Sequence, residues 1–235
     1  MSLVYRAKCP LCNFSKFKCI YSYSYNKPQV RKFLRKHFSN KFSLKILKNK
    51  NFEINECKLC KILFQKIIFN KKYHKKLYEN YVKEEVSKRK KINFNTKNFQ
   101  TYLNELKSIE YSLKKKPREI KILEIGAGWG YWALFAKSCN FNVETIEVSP
   151  TRQNFIKKNN LISYQNLKKV FKKKFDVIYM DQTFEHLESP HYTLKIINKI
   201  LKKEGLLIIK VPSGLFSKYK LSNNYCFKND EFIPF

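Results

Sequence analysis

The chain has 235 residues, room for one large domain or two small ones, and its 43% hydrophobic and 16% aromatic content excludes an intrinsically disordered polypeptide. Its 49 Lys and Arg against 18 Asp and Glu give a net charge of +31, which suits a nucleic-acid or anionic partner, yet the lysines run through the whole chain and rise together with Asn, Ile, Phe and Tyr, as AT-rich codons produce. No stretch reaches the roughly 18 apolar residues of a membrane span and no signal-peptide pattern opens the chain, so its seven cysteines point to metal ligands or free thiols in a cytoplasmic protein, not to a disulfide framework.

Residues 1–70 carry two Cys-x-x-Cys pairs, Cys9-Pro-Leu-Cys12 and Cys57-Lys-Leu-Cys60. Each spacing lets one tight turn offer two thiolates to one metal, and two such turns make a tetrahedral four-cysteine zinc site. The loop between them is longer than a usual zinc-ribbon spacer, so reduced structural thiols and a redox pair stay open, although a redox pair belongs in a βαβ setting that is not visible here. Zinc knuckles often have Gly after the second Cys; here Asn13 and Lys61 stand there. Cys19 is a spare thiol that could replace one of the four, and His37 and His74 read as surface residues. Between the pairs, residues 28–38 predict a short amphipathic helix with Val30, Phe33, Leu34 and Phe38 on one stripe. Alternation from Phe42 to Leu47 predicts a strand, as does the run from Ile62 to Phe69. A module this small relies on its metal for much of its folding free energy.

Residues 71–117 predict a helical connector. Tyr73, His74, Leu77, Tyr78, Tyr81 and Val82 have helical spacing, and Phe99, Tyr102, Leu103, Leu106, Ile109 and Leu113 repeat at three and four residues. The tyrosines at 73, 78 and 81 read as packing residues or as the mouth of a pocket. The second helix should stop at Lys114-Lys-Lys-Pro117 and lie against the sheet that follows.

From residue 118 to 235 the pattern changes to strands alternating with helices. Residues 120–125 predict a strand, followed by a turn with Gly126, Gly128 and Gly130 and then the helix-forming run Ala133–Lys137. A glycine turn entering a helix lets a ligand approach the backbone and meet unpaired N–H groups. Residues 142–148 predict the next strand. It carries Glu147 at its C-terminal end, placed where a carboxylate can accept from both hydroxyls of a ribose. Glu124 precedes the turn, where a carboxylate can face a cationic amino group. A nicotinamide dinucleotide is disfavoured because Tyr131 stands where its fingerprint needs a third small residue. The run from Phe175 to Pro190 predicts a buried strand followed by a polar loop, and Ser189 with Pro190 predicts the start of a helix that Gly205 closes. Residues 206–211 predict a further buried strand. The result is an α/β, mostly parallel sheet with ligands at the strand C-terminal ends.

With Glu124-Ile-Gly-Ala-Gly-Trp-Gly130, Glu147, the strand at Phe175 and Glu185-His-Leu-Glu-Ser-Pro190, residues 121–212 resemble a class I S-adenosylmethionine (SAM)-dependent methyltransferase. The last segment is similar to the E-H-L-x-x-P of the bacterial small-molecule branch. The paired Cys-x-x-Cys with a Tyr-rich stretch is similar to the zinc-binding leader of several sugar and natural-product methyltransferases. The resemblance implies a Rossmann-like fold preceded by a small zinc-ribbon-like module. It implies that Gly126, Gly128 and Gly130 cradle the methionine end of SAM, that Glu124 holds its amino group, and that Glu147 binds the ribose. Asp181 and Gln182 would face the cofactor–substrate boundary. The acidic residue that family members often place near the adenine is missing from Ile162–Leu167. Where the acceptor is a hydroxyl or an acidic carbon, His186 is the candidate base, with Glu185 beside it; the alternative is that both brace the loop.

This fold normally continues past its fifth strand with a helix and an antiparallel hairpin, and residues 213–235 show no such pattern. The expectation is a C-terminally truncated domain, or a partner chain over the edge at 206–211. Three functions follow: methyl transfer to a small molecule such as a sugar, RNA methylation through the basic surface, or non-catalytic binding of SAM or zinc.

Overall fold

The computed structural model describes residues 3–38, 42–70, 72–73 and 96–213. Contacts divide the chain into two compact units, the first Met1–Lys90, Glu185–His191 and Pro212–Phe235, the second Lys91–Phe184 and Tyr192–Val211.

The first unit runs β1 (Leu3–Tyr5), β2 (Phe17–Ser24), α1 (Pro28–His37), β3 (Asn51–Cys57), β4 (Leu63–Gln65) and β5 (Ile67–Phe69). β2, β3 and β4 form an antiparallel sheet in that order, and β1 pairs antiparallel with β5. Helix α1 starts with Pro28, whose fixed φ suits the first turn, and buries Val30, Phe33 and Leu34, the expected stripe, with Phe38, Phe42 and Leu47. Two strand expectations change here. Leu44–Leu47 is a 3₁₀ turn, because winding lets Leu44, Ile46 and Leu47 all reach the cluster around α1, and no strand of the three sheets pairs with it. The run from Ile62 to Phe69 is split at Lys66, so that β4 joins β3 while β5 joins β1.

The second unit runs α2 (Thr96–Leu113), β6 (Lys121–Ile125), α3 (Tyr131–Ser138), β7 (Asn142–Ile146), α4 (Pro150–Lys158), β8 (Ile162–Tyr164), β9 (Phe175–Asp181), α5 (Pro190–Ile200) and β10 (Leu201–Lys210). All five strands are parallel, in the order β10-β9-β6-β7-β8, so the chain reverses direction across the sheet between β8 and β9. That reversal opens a crevice at the strand C-terminal ends. Leu106 and Ile109 of α2 pack with Ile122, Val143, Val177, Trp132 and Ala133 in one continuous core. Lys114, left-handed at φ 51, ends α2, and Pro117 opens a short 3₁₀ turn before β6.

Gly205 does not close the helix. Helix α5 ends at Ile200, and Gly205 lies inside β10, where the register against β9 shifts between Leu201 and Leu206. A Cβ on Gly205 would come 2.9 Å from the Asp176 carbonyl, so the close strand approach is what needs glycine.

Asp176, 1% exposed at the N-terminal end of β9, ties this end of the sheet together. Its carboxylate accepts from Lys115 Nζ at 2.7 Å, Lys202 Nζ at 2.9 Å and the Lys121 amide at 3.0 Å. Burial pushes this carboxyl up, but the two ammonium groups and the amide outweigh burial and hold it at about 2.

The helix expected over 73–82 falls almost wholly outside the described residues, and the expectation that residues 213–235 form no hairpin lies outside them from residue 214 onward. Among the described residues no helix is long and apolar enough to cross a membrane.

Candidate cofactor crevice and four-thiol metal site

The crevice is built on the glycine turn. Gly126, Gly128 and Gly130 all have positive φ, at 77°, 61° and 71°, a conformation that costs other L-residues about 1 kcal/mol or more. Packing adds a second requirement. A Cβ on Gly126 would overlap the Thr183 side chain, and one on Gly130 would stand 2.9 Å from Ile156 Cγ1. The turn is pinned to the neighbouring strand by the Gly126 amide, which donates to the Ile146 carbonyl at 2.8 Å. Gly130 then caps α3.

Glu147, one residue past β7 and 4% exposed, meets this turn directly. One carboxylate oxygen accepts from the Gly128 amide at 2.8 Å and the other from the Ser149 amide at 2.8 Å. These bonds fix the carboxylate on the turn while each oxygen keeps a lone pair for a further donor. Glu124, 5% exposed, stands at the end of β6 beside Thr145 of β7 and Tyr179 of β9. Asp181 ends β9 and Gln182 follows it. Gln182 is left-handed, at φ 49, and its amide donates to the Lys210 carbonyl at 2.9 Å. Thr183 then donates its hydroxyl to the Asp181 carbonyl at 3.1 Å. The structure therefore gathers Glu124, the three glycines, Glu147, Asp181 and Gln182 at one end of the sheet in the second unit. Glu185 and His186 fall in a short 3₁₀ turn, Phe184–His186, and by their contacts belong to the first unit.

Sequence reasoning missed a charged network at the same sheet end. Glu105 of α2 accepts from Trp132 Nε1 at 3.0 Å and from the Tyr179 hydroxyl at 2.9 Å through one oxygen, and from Lys210 Nζ at 2.8 Å through the other. Lys210 also pairs with Asp181 at 3.1 Å, and Trp132 stacks on Tyr179 with ring centres 3.9 Å apart. Burial, with the charges of Asp181 and Glu105, pushes the Tyr179 phenol well above its usual range. Burial and the Glu124 and Asp181 carboxylates push Tyr102 up to about 12. Both phenols are thus neutral at physiological pH. A lone lysine after the apolar run of β10 was the available sequence signal for the network.

The four cysteines of the paired motifs converge in the first unit. Their sulfurs all lie within 4.8 Å of one another, with Cys9 to Cys60 and Cys12 to Cys57 both at 3.6 Å. A tetrahedron with Zn–S near 2.3 Å has sulfur–sulfur edges of about 3.8 Å, so the donor set has the number, type and closeness of ligands that zinc takes. The two knuckles repeat one another. Cys9 N donates to Phe14 O and Asn13 N to Cys9 O; Cys57 N donates to Ile62 O and Lys61 N to Cys57 O. Asn13 and Lys61 have the same φ of 61°. Burial pushes Cys60 up to about 12, whereas at Cys57 the backbone amides of Cys60 and Leu59 outweigh burial and hold the thiol at about 7. A divalent cation would replace the protons that four adjacent sulfurs otherwise share. Cys19 is exposed, bonded to the Tyr21 carbonyl, and outside the set.

A parallel sheet with this strand order, a left-handed glycine turn and an acid on the neighbouring strand defines a Rossmann-like nucleotide-binding protein. Residues 96–235 match the family described as a methyltransferase domain, and the chain belongs to that family. The chain is similar to the ubiquinone biosynthesis O-methyltransferase of Pelagibacter ubique (strain HTCC1062), at 29% identity over 127 residues, 49% of this chain and 52% of that protein. It thus spans about half the length of that curated relative. Among solved structures it is similar to the plantazolicin methyltransferase BpumL, crystallised with a pentazolic desmethylPZN analog and SAH, at 18% identity, a TM-score of 0.49, and 62% of this chain against 61% of that one. Coclaurine N-methyltransferase, bound to N-methylheliamine and SAH, follows at 19% identity and a TM-score of 0.39, with 46% and 35% covered.

Proposed function

We propose that this chain transfers a methyl group from SAM to a small-molecule acceptor, a sugar or related metabolite, in the cytoplasm. The observation that carries the reading is the Glu147 carboxylate bound to the Gly128 amide, which joins an acid to a left-handed glycine turn at the switch point of a parallel sheet. The family match supports methyl transfer, and the similarity to a ubiquinone biosynthesis O-methyltransferase supports a small acceptor that presents a hydroxyl.

In this reading Gly126, Gly128 and Gly130 allow the methionine end of the cofactor against the backbone, Glu124 takes its amino group, and Glu147 offers its remaining lone pairs to the ribose. SAM supplies an electrophilic methyl on a sulfonium sulfur. Asp181 and Gln182 line the acceptor side, and the Glu105–Lys210–Asp181 network fixes the Asp181 carboxylate there. His186 takes the acceptor's proton, with Glu185 as its neighbour, since an imidazole titrates near neutrality. Much of the acceleration then comes from alignment and exclusion of water. Cys9, Cys12, Cys57 and Cys60 hold a structural Zn²⁺, which reducing conditions keep supplied with thiolates.

A SAM-turnover assay on phenolic acceptors, sugar nucleotides and bulk RNA in parallel tests the reading. Turnover is expected on a small acceptor, and His186→Ala should lower kcat by about 100-fold or more. Turnover on RNA alone contradicts the small-acceptor assignment, and full turnover in His186→Ala contradicts the base assignment.

A further inference from the structure

The segment Glu185–His191 is grouped by its contacts with the first unit, and the bonds that hold it come from residues beside and inside the first cysteine knuckle. Arg6, just past β1, donates from one guanidinium nitrogen to the Leu187 carbonyl at 3.3 Å and to the Glu188 carbonyl at 3.2 Å. Its other terminal nitrogen donates to the Gln65 carbonyl at 3.3 Å. The Arg6 backbone is pinned as well, its amide on the Lys66 carbonyl at 2.9 Å and its carbonyl under Lys66 Nζ at 2.8 Å. The β1–β5 ladder is made through the backbone, so the guanidinium is left to bridge the Gln65 carbonyl and the 185–191 segment.

The second anchor is the knuckle itself. Pro10 and Leu11, the two residues between Cys9 and Cys12, turn their carbonyls to His191. The His191 amide donates to Pro10 O at 3.2 Å, and His191 Nδ1 lies 2.9 Å from Leu11 O. A carbonyl only accepts, so Nδ1 carries the proton and the ring tautomer is set by the knuckle. The orientation of these two carbonyls depends on the Cys9–Cys12 turn, and that turn is what a metal would fix.

We propose that Arg6 and the Cys9–Cys12 knuckle are positioning groups for the segment that bears Glu185 and His186, so that metal occupancy governs methyl transfer through the conformation of this segment. The catalytic half of this inference rests on His186 as the base. The four thiolates then do more than fold the first unit, because loosening the knuckle releases the Pro10–His191 and Leu11–His191 bonds and leaves Arg6, held by Lys66 and Gln65, as the remaining anchor of the segment. Arg6 is suited to the task, since one rigid guanidinium spans carbonyls from two segments where an ammonium has no such fork.

The test uses full-length Arg6→Ala and His191→Ala, each verified to retain its metal by elemental analysis. Amide hydrogen exchange over residues 185–191, SAM affinity by calorimetry, and kcat and KM are read for each. The expected result is exchange faster by about tenfold in this segment, SAM affinity within twofold of the parent, and kcat lowered by about tenfold with less change in KM. Arg6→Lys should recover only part of the protection. Chelation of the parent should give the same increase in exchange over 185–191. Unchanged exchange in both alanine variants overturns the positioning role whatever the activity. Faster exchange with unchanged kcat keeps the positioning role and removes His186 as the base, and a parent protein that fails to bind SAM removes the methyltransferase reading while the exchange result still decides the positioning.

Discussion

In the second unit the core runs unbroken from α2 through the sheet to α3, with Ile120, Ile122, Ala133, Ala136, Ile156 and Val177 all fully buried. In the first unit the buried side chains form separate groups. Among the described residues one surrounds α1, and another has Cys9, Cys57 and Phe64 buried at its centre with Leu11, Phe14, Phe17 and Ile62 half-buried around them. That second group buries far less apolar surface than the core of the second unit, so ligation has more to contribute to ordering its turns. The polar end of each unit differs in the same way. The second holds Asp176 and Glu147 with backbone amides and lysines already present, whereas the first gathers four thiols that cannot all ionise side by side without a cation. The two units thus put their stability in different places, one in packing and one in ligation.

The largest effect should come from breaking the ligation. Cys57→Ser, or extraction of the metal by a strong chelator, should remove on the order of 10 kcal/mol of binding free energy from the first unit. Exchange should then become fast over residues 3–70 while β6, β7 and β9 stay protected; equal loss in both units would erase the contrast. Next comes the crevice. Glu147→Ala should weaken SAM by about 2 kcal/mol, roughly 30-fold, and loosen the glycine turn, as read by calorimetry.

A comparable effect, on stability rather than binding, belongs to Asp176. Its folded pKa of about 2 lies below the unfolded value near 3.9, so its contribution is fully present above about pH 4 and is lost as the pH falls toward 2. Asp176→Asn should cost on the order of 2 kcal/mol at neutral pH and flatten acid unfolding of the second unit in that window. An unchanged acid profile would assign the lysine pairs no role in stability. The smallest change has the opposite sign. Lys61→Gly should stabilise the metal-bound first unit by about 1 kcal/mol, because lysine holds φ 61 there against its preference. Asn13→Gly should gain less, since Asn tolerates that conformation.

What was legible in the sequence follows the same division. Local signals sufficed for the strand, glycine turn and helix from Lys121 to Ser138, because strand period, glycine and helix former agree over eighteen residues. The cysteine pairs were equally plain, since their chemistry lies in the spacing. Features that depend on distant partners were hidden. Leu44–Leu47 alternates like a strand, but the α1 cluster winds it into a turn. Gly205 read as a helix end because its real constraint, the Asp176 carbonyl, is 29 positions away. Glu105, Thr183 and Lys210 have no motif, and only the fold brings them to the crevice. The contacts of Arg6 with residues some 180 positions away are likewise invisible along the chain.

The central claim is that the crevice at Gly126–Gly130 and Glu147 holds SAM. Titration calorimetry of the metal-loaded protein with SAM tests it most directly, with NAD as the control and Glu147→Ala alongside. The account predicts saturable one-to-one binding of SAM, none of NAD, and roughly 30-fold weaker SAM binding in Glu147→Ala. Absence of SAM binding by the parent protein, or equal affinity in Glu147→Ala, would contradict it.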